Sequence, residues 1–182
     1  MGADNQQERL NAQWIVGFVD GEGCFHVAIN KMPKMTLGWQ VLPEFRVVQH
    51  KRDMKILHRI RDTLGCGKVT RNHKDRFEVR VRGMQDLKTV IAFFEKNKLQ
   101  TTKRKNFETF AKIISMMENK KHLTKEGLDK IAKTASTMNQ KVKPAYLESP
   151  ETLRQTSPSE MKIKSEPCSD ARRQQKCLPA FL

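Results

Sequence analysis

The sequence is short of everything that would tie it to a membrane or an oxidising compartment. Uncharged runs such as Met35 to Pro43 fall far short of the roughly 20 residues that span a bilayer, so no membrane partner is expected by way of a spanning helix. The four cysteines, Cys24, Cys66, Cys168 and Cys177, show neither a CxxC pair nor zinc-ligand spacing; reduced thiols are the expectation. Asp4 and Glu8 interrupt the first ten residues, so no targeting signal is seen, whether secretory or Arg-rich transit. Such a chain is expected to work where it is made. Acidic residues are outnumbered, 20 Asp plus Glu against 35 Lys plus Arg.

What is present follows from that imbalance. A net charge of +15 and a pI near 9.9 point to a polyanionic partner, nucleic acid first and an anionic membrane surface second. A length of 182 residues suits one domain with a tail. The tail, 141–182, holds five of the seven prolines, five serines and no glycine, and carries a net +3. It sustains no period and reads as a flexible or loosely packed basic segment. The remaining +12 lies on residues 1–140, where a partner is expected to dock.

Periodicity organises that folded part. Leu10, Trp14, Gly17, Phe18 and Gly21 form one stripe of a helix expected to start near Asp4 or Asn5. Phe25, Val27 and Ile29 alternate with His26, Ala28 and Asn30; Phe45 and Val47 alternate with Glu44, Arg46 and Val48. Both read as half-buried strands. Asp53 is placed to cap a helix through Leu57, Ile60 and Leu64 that Gly65 stops. A short strand passes through Val69, and "RFEVRVR" sets Phe77, Val79 and Val81 against Arg76, Glu78, Arg80 and Arg82. A helix with Leu87, Val90, Ile91 and Phe94 completes an α-β-β-α-β-β-α order. The class is α+β, one antiparallel sheet covered on one side. Two further helices follow, one through Phe107, Phe110, Ile114 and Met117. The other is capped by Thr124, with Leu123 and Leu128 as a staple, and runs through Ile131, Ala135 and Met138. For every stripe the ordinary reading is core packing.

The uncovered sheet face carries His26, Asn30, Gln40, Arg46, Arg76, Glu78, Arg80 and Arg82. A solvated face explains such residues in most proteins. Three arginines on one strand and a fourth on its neighbour favour nucleic-acid readout instead, because arginine and glutamine reach base edges and phosphates in bidentate geometry.

The stretch "WIVGFVDGEGCF" asks for its own explanation. Gly17 and Gly21 share a stripe with Trp14 and Phe18, although glycine inside a helix costs about 1 kcal/mol relative to alanine. Small residues four apart let two helix backbones meet. Asp20 and Glu22 stand at the helix C-terminus, where the macrodipole disfavours negative charge; a bound cation would remove the conflict. A plain "DGEG" turn is the bland alternative.

"IVGFVDGEG" resembles the signature of the LAGLIDADG homing endonucleases, and "EFRVVQH", "KRKNFETFAKII" and "HLTKEGLDKIAKTASTMN" extend the likeness over about residues 9 to 140. The resemblance implies that family's fold, with a curved antiparallel sheet as a DNA-binding saddle. One copy of the signature implies a homodimer, paired through Trp14, Gly17, Phe18, Asp20 and Gly21. It implies Glu22 as the catalytic metal-binding acid, with the Gly21 carbonyl as a further ligand, and Asp20 as more structural than catalytic. Gln49 would order water near the scissile phosphate, and Lys103 would stabilise developing charge or tune that water. Mg²⁺ is the implied cofactor, with Mn²⁺ as a substitute. Where some members place an arginine, this chain has Asp53; Lys51 or Arg52 is the candidate replacement. The implied activity is metal-dependent cleavage of a long, roughly palindromic double-stranded DNA target, promoting mobility of a host intron. Intron RNA is a further partner under a maturase reading, and a non-catalytic DNA-binding regulator is the other alternative. The implied location is organellar, chloroplast or mitochondrion.

Overall fold

A computed structural model describes residues 9–139 and 144–149. Its elements run α1 (Ala12–Glu22), β1 (Gly23–Lys31), β2 (Trp39–His50), α2 (Met54–Leu64), β3 (Lys68–His73), β4 (Arg76–Val81), α3 (Met84–Lys96), α4 (Lys103–Glu118) and α5 (Lys125–Ala135). The four strands form one antiparallel sheet in the order β1-β2-β4-β3. This is the expected α+β order with two helices added.

Each element has a local cause. Asn11 caps α1, its side chain accepting from the Gln13 amide at 2.8 Å. The helix therefore starts later than Asp4 or Asn5: Arg9 and Leu10 are not helical, and residues 1–8 lie outside the described ones. Leu10 is pinned instead, its amide donating to the Thr63 hydroxyl at 2.9 Å. Gly65 ends α2 with φ of 71°, a left-handed stop that glycine adopts without strain. Asp53 stands at the N-cap of α2 but makes no capping hydrogen bond; its carboxylate pairs with Arg52 at 3.3 Å. Thr124 does cap α5, accepting from the Gly127 amide at 3.2 Å. Leu123 remains half exposed while Leu128 is buried. Helix α5 ends at Ala135, and Met138 is buried in the chain that follows.

Helices α1 to α4 pack on one sheet face, and the core lies between. Phe25 is its hub, fully buried, with ring centroids 5.1–5.8 Å from those of Phe45, Phe94, Phe107 and Phe110. Truncating such a residue to alanine costs about 3–5 kcal/mol. In α1 the core residues are Ile15, Val16 and Val19. Of the expected stripe, Leu10 is in the core and Phe18 is half-buried against it, whereas Trp14, Gly17 and Gly21 are exposed, so core packing accounts for only part of the stripe.

Strand β1 is an edge, and edges attract unwanted pairing unless blocked. The Asn139 side chain donates to the Phe25 carbonyl at 3.0 Å, and Asn106 and Asn139 bond each other reciprocally. Residues 144–149 of the expected tail are not loose: a 3₁₀ turn, Ala145–Glu148, lies against β1 with Tyr146 buried edge-on to Trp39 at 5.3 Å. One aromatic pair supplies the packing that composition did not reveal.

Candidate functional site

The C-terminus of α1 meets the N-terminus of α4. The Asp20 carboxylate accepts from the Gln100 amide (2.8 Å), the Thr101 amide (3.3 Å) and the Thr101 hydroxyl (2.7 Å). Partial burial pushes its pKa upward, but these hydrogen bonds and the Lys103 charge outweigh it and hold the group below the usual carboxylate value. A charge disfavoured at the end of α1 is thus favoured by the amides leading into α4. Asp20 is engaged within its own chain.

Lys103 completes the junction. Its ammonium donates to the carbonyls of Gly23 (2.6 Å) and Gly21 (3.2 Å). The cation expected at the end of α1 is therefore supplied by a lysine 80 residues downstream of Gly23, and a bound metal is not needed to settle the dipole. Burial depresses the Lys103 pKa, while Cys24, Asp20 and Glu22 work against that.

Glu22 differs from its neighbour. It is exposed and makes no hydrogen bond or ion pair among the described residues. Gly21 is exposed beside it. Glu22 and the Gly21 carbonyl are hard oxygen donors suited to a divalent ion such as Mg²⁺. Among the described residues no group of three His, Cys, Asp or Glu side chains could hold a metal.

Gln49 stands at the same end of the sheet, two residues past Val47, the β1 partner of Gly23. It lines a 460 Å³ hollow between α1 and α2 with Phe18, Arg52, Lys55 and Arg59. Lys51 is tied elsewhere, to Asp75 at 3.0 Å. Of the two basic candidates near Asp53, Arg52 is the one that lines the hollow with Gln49, and it is itself paired with Asp53, which also lines it.

Around α1 the exposed stripe is continuous. Trp14 is 41% exposed and stacks on Phe18 with centroids 4.8 Å apart. A methyl group added at Gly17 or Gly21 meets nothing within 4 Å, so the protomer itself does not require either glycine.

On the open sheet face the strand register forms rows. Arg46 faces Cys24 on one side and Arg80 on the other, and Arg80 faces Lys68. His26 faces Glu44; Glu78 lies between Val48 and Thr70; Arg76 faces His50; Asn30 faces Gln40. Arg82 lies just past β4 and reaches Glu44 at 2.8 Å. The expected set therefore shares one face, with Glu78 as the exception in depth. Glu78 is fully buried and ion-paired to Arg80, so it cannot touch a partner directly. His26 is half-buried, which lowers its pKa; Glu44 opposes and Arg46 assists, and the ring is neutral at neutral pH. Beside β1 the face is walled by Met138, Asn139 and Ala145, leaving a 510 Å³ groove floored by His26, Asn30 and Arg46.

Two participants went unread in the sequence. Glu44 is buried on the outward side, where the "EFR" alternation had placed it without assigning a role. Lys68 joins the arginine row, but β3 offered only Val69 as a marker.

Similarity to known proteins can now be set beside this geometry. The family model described as LAGLIDADG endonuclease matches residues 15–114. The homing endonuclease I-TnaI has a crystal structure 49% identical to this chain, covering 81% of it and 98% of its own chain, with a TM-score of 0.74. The meganuclease I-CpaMI, solved bound to uncleaved DNA, is 31% identical over 76% of this chain and 47% of its own, also with a TM-score of 0.74. An uncharacterized 50.9 kDa protein in ND4 intron 1 of Podospora anserina is 33% identical over 118 residues, 64% of this chain and 26% of its own. The chain spans about a quarter of the length of the curated relatives it matches first. Among the described residues no helix is long and apolar enough to cross a membrane.

Proposed function

The chain belongs to the LAGLIDADG endonuclease family, and from that premise we propose that it is a site-specific homing endonuclease acting as a homodimer on double-stranded DNA. The observation that carries the reading is the exposed stripe of α1, apolar and glycine-lined, ending in an exposed and unpaired Glu22. Two copies of that stripe, joined about a two-fold axis, would bury Trp14 and Phe18 and bring two Glu22 carboxylates together. Coverage supports the same arrangement: the matched part of this chain covers nearly all of I-TnaI but about half of I-CpaMI, so two copies of that matched part correspond in size to one I-CpaMI chain.

The residues then divide the work. Glu22, with the Gly21 carbonyl, would hold Mg²⁺, or Mn²⁺ in its place. When bound, that ion supplies charge stabilisation at the scissile phosphate and an activated water. Gln49 orients the water by hydrogen bonding. Arg52, Lys55 and Arg59 around its hollow attract the phosphate backbone. Lys103 holds the Gly21 and Gly23 carbonyls, fixing the end of α1 from which Glu22 projects, and places a positive charge beside the phosphate. Two open sheet faces form one basic saddle over two half-sites, with arginines for base edges and lysines for phosphates. The likeness to an intron-borne relative supports a role in intron mobility and an organellar origin.

Selection of cleaved sites from randomised duplex DNA with Mg²⁺ tests the proposal. The expected result is one pseudo-palindromic site cut on both strands by a protein that sediments as a dimer. Binding without cutting at any divalent ion would favour the regulator. Intron splicing assistance without DNA cutting would favour the maturase.

A further inference from the structure

The open sheet face is less basic at its centre than a count of arginines implies. Glu44 is 7% exposed and reaches three guanidinium groups: Arg82 at 2.8 Å, Arg46 at 3.6 Å and Arg80 at 4.0 Å. The Arg82 Nε donates to the same oxygen at 2.9 Å. Glu78, fully buried, pairs with Arg80, yet neither of its oxygens has a hydrogen bond of good geometry. By register, these acids flank the Arg46–Arg80–Lys68 row, Glu44 on one side and Glu78 on the other.

Such burial needs a reason. A carboxylate taken out of water costs several kcal/mol unless fully paired, and a buried pair seldom stabilises more than an apolar one of like volume. Sheet stability alone gives no cause to set two acids here, since an alternating face solvates uncharged side chains equally well. Free arginines on a saddle would bind any phosphate, and sequence-independent affinity would dominate. A guanidinium already held by a carboxylate keeps a fixed direction and loses part of its attraction for phosphate. It then gains most from a base edge that meets it in that direction.

We propose that Glu44 is a specificity-determining positioning residue: its carboxylate holds Arg46, Arg80 and Arg82 in readout geometry and suppresses their binding to non-cognate DNA. This rests on the DNA-binding reading above. Glu44 touches neither DNA nor the reacting atoms; it acts through the arginines.

Glu44→Gln is the test, since it keeps shape and hydrogen-bonding capacity and removes the charge. The wild-type protein first selects a site from randomised duplex, and both proteins are then titrated against that duplex and a scrambled one over a range of salt. The expected result is tighter binding of the scrambled duplex, a salt slope steeper by about one unit, and at least a tenfold loss of discrimination. A merely structural role would lower the melting temperature and leave the discrimination ratio of the folded protein unchanged; that result overturns the inference. Should Glu44→Gln not fold, Glu44→Asp decides. It keeps the charge and withdraws it by one methylene, so the slope should stay and discrimination should fall; unchanged discrimination overturns the proposal. A wild-type protein that selects no duplex removes the DNA-binding reading and this inference together. One that selects a site and loses nothing on substitution removes this inference alone.

Discussion

Two acid-bearing regions of the molecule, the end of α1 and the open sheet face, are built on opposite plans. At the end of α1, Asp20 is held by Gln100 and Thr101 while Glu22, two residues on, is left exposed and unpaired. On the sheet, Glu44 and Glu78 are both buried and both covered by arginines. A carboxylate that must receive a hard cation has to stay hydrated and unencumbered. A carboxylate that orients guanidinium groups has to be close, fixed and screened from water. On the proposed roles, exposure rather than residue type separates an acid that receives a metal from one that positions arginines.

The largest effect should come from breaking the exposed side of the contrast. Glu22→Gln removes the charge that holds the ion, and loss of several kcal/mol of charge stabilisation corresponds to a drop in cleavage of about a thousandfold or more. DNA binding should persist, because affinity comes from Lys and Arg. Measuring both on one duplex checks it; wild-type cutting by Glu22→Gln removes the assignment.

Arginine substitutions sharpen the buried side. Arg80→Ala leaves Glu78 buried with no cation, a loss of about 3–5 kcal/mol in unfolding free energy. Arg46→Ala leaves Glu44 its closer partner, Arg82. It should spare stability and weaken specific binding by about 1–3 kcal/mol at one position per half-site. Chemical denaturation beside DNA titration separates the two; equal stability losses would mean that the acids are not held as described.

Next in size is the helix face. Gly17→Leu finds open space in the protomer but would overpack a helix pair, at about 1–3 kcal/mol per contact. A monomer with native circular dichroism is expected by sedimentation. A wild-type protein that sediments as a monomer, free and on DNA, would refute the interface.

Legibility in the sequence follows how local each cause is. Helix α2, strand β4 and helix α5 were readable because period and terminators coincide: Gly65 in a left-handed turn, Thr124 on the Gly127 amide. The start of α1 was not, since Asp4, Asn5 and Asn11 are equivalent caps by type, and the choice depends on Leu10 reaching Thr63 across 53 residues. Alternation in "RFEVRVR" assigned Glu78 to the correct side without its depth or its pairing with Arg80. At the junction, the signature pointed to Asp20 as structural. The lysine cap on Gly21 and Gly23 joins residues 80 and more apart, and no periodicity reports such a contact.

The smallest expected effect tests whether Asp20 belongs with the positioning acids. Its folded-state pKa is held below the ordinary 3.8, so ionised Asp20 favours the folded chain. That contribution is complete above the unfolded value and is lost as pH falls from 3.8 through the lower folded value. Asp20→Asn keeps one accepting oxygen and removes the charge. Near neutral pH the variant should be less stable by about 1 kcal/mol, the low end for a charge-assisted bond, because the carboxylate is partly exposed. Denaturant midpoints should shift without a change in slope. The gap should be flat from about pH 5 to pH 8 and shrink as pH falls below 3.8, where the unfolded carboxyl takes up its proton first and the folded one follows at its lower pKa. Cleavage by the folded variant should fall far less than in Glu22→Gln. A gap that persists undiminished in acid would assign the loss to the misplaced amide rather than to the charge. A cleavage defect as deep as that of Glu22→Gln would move Asp20 out of the positioning class and into the reacting one.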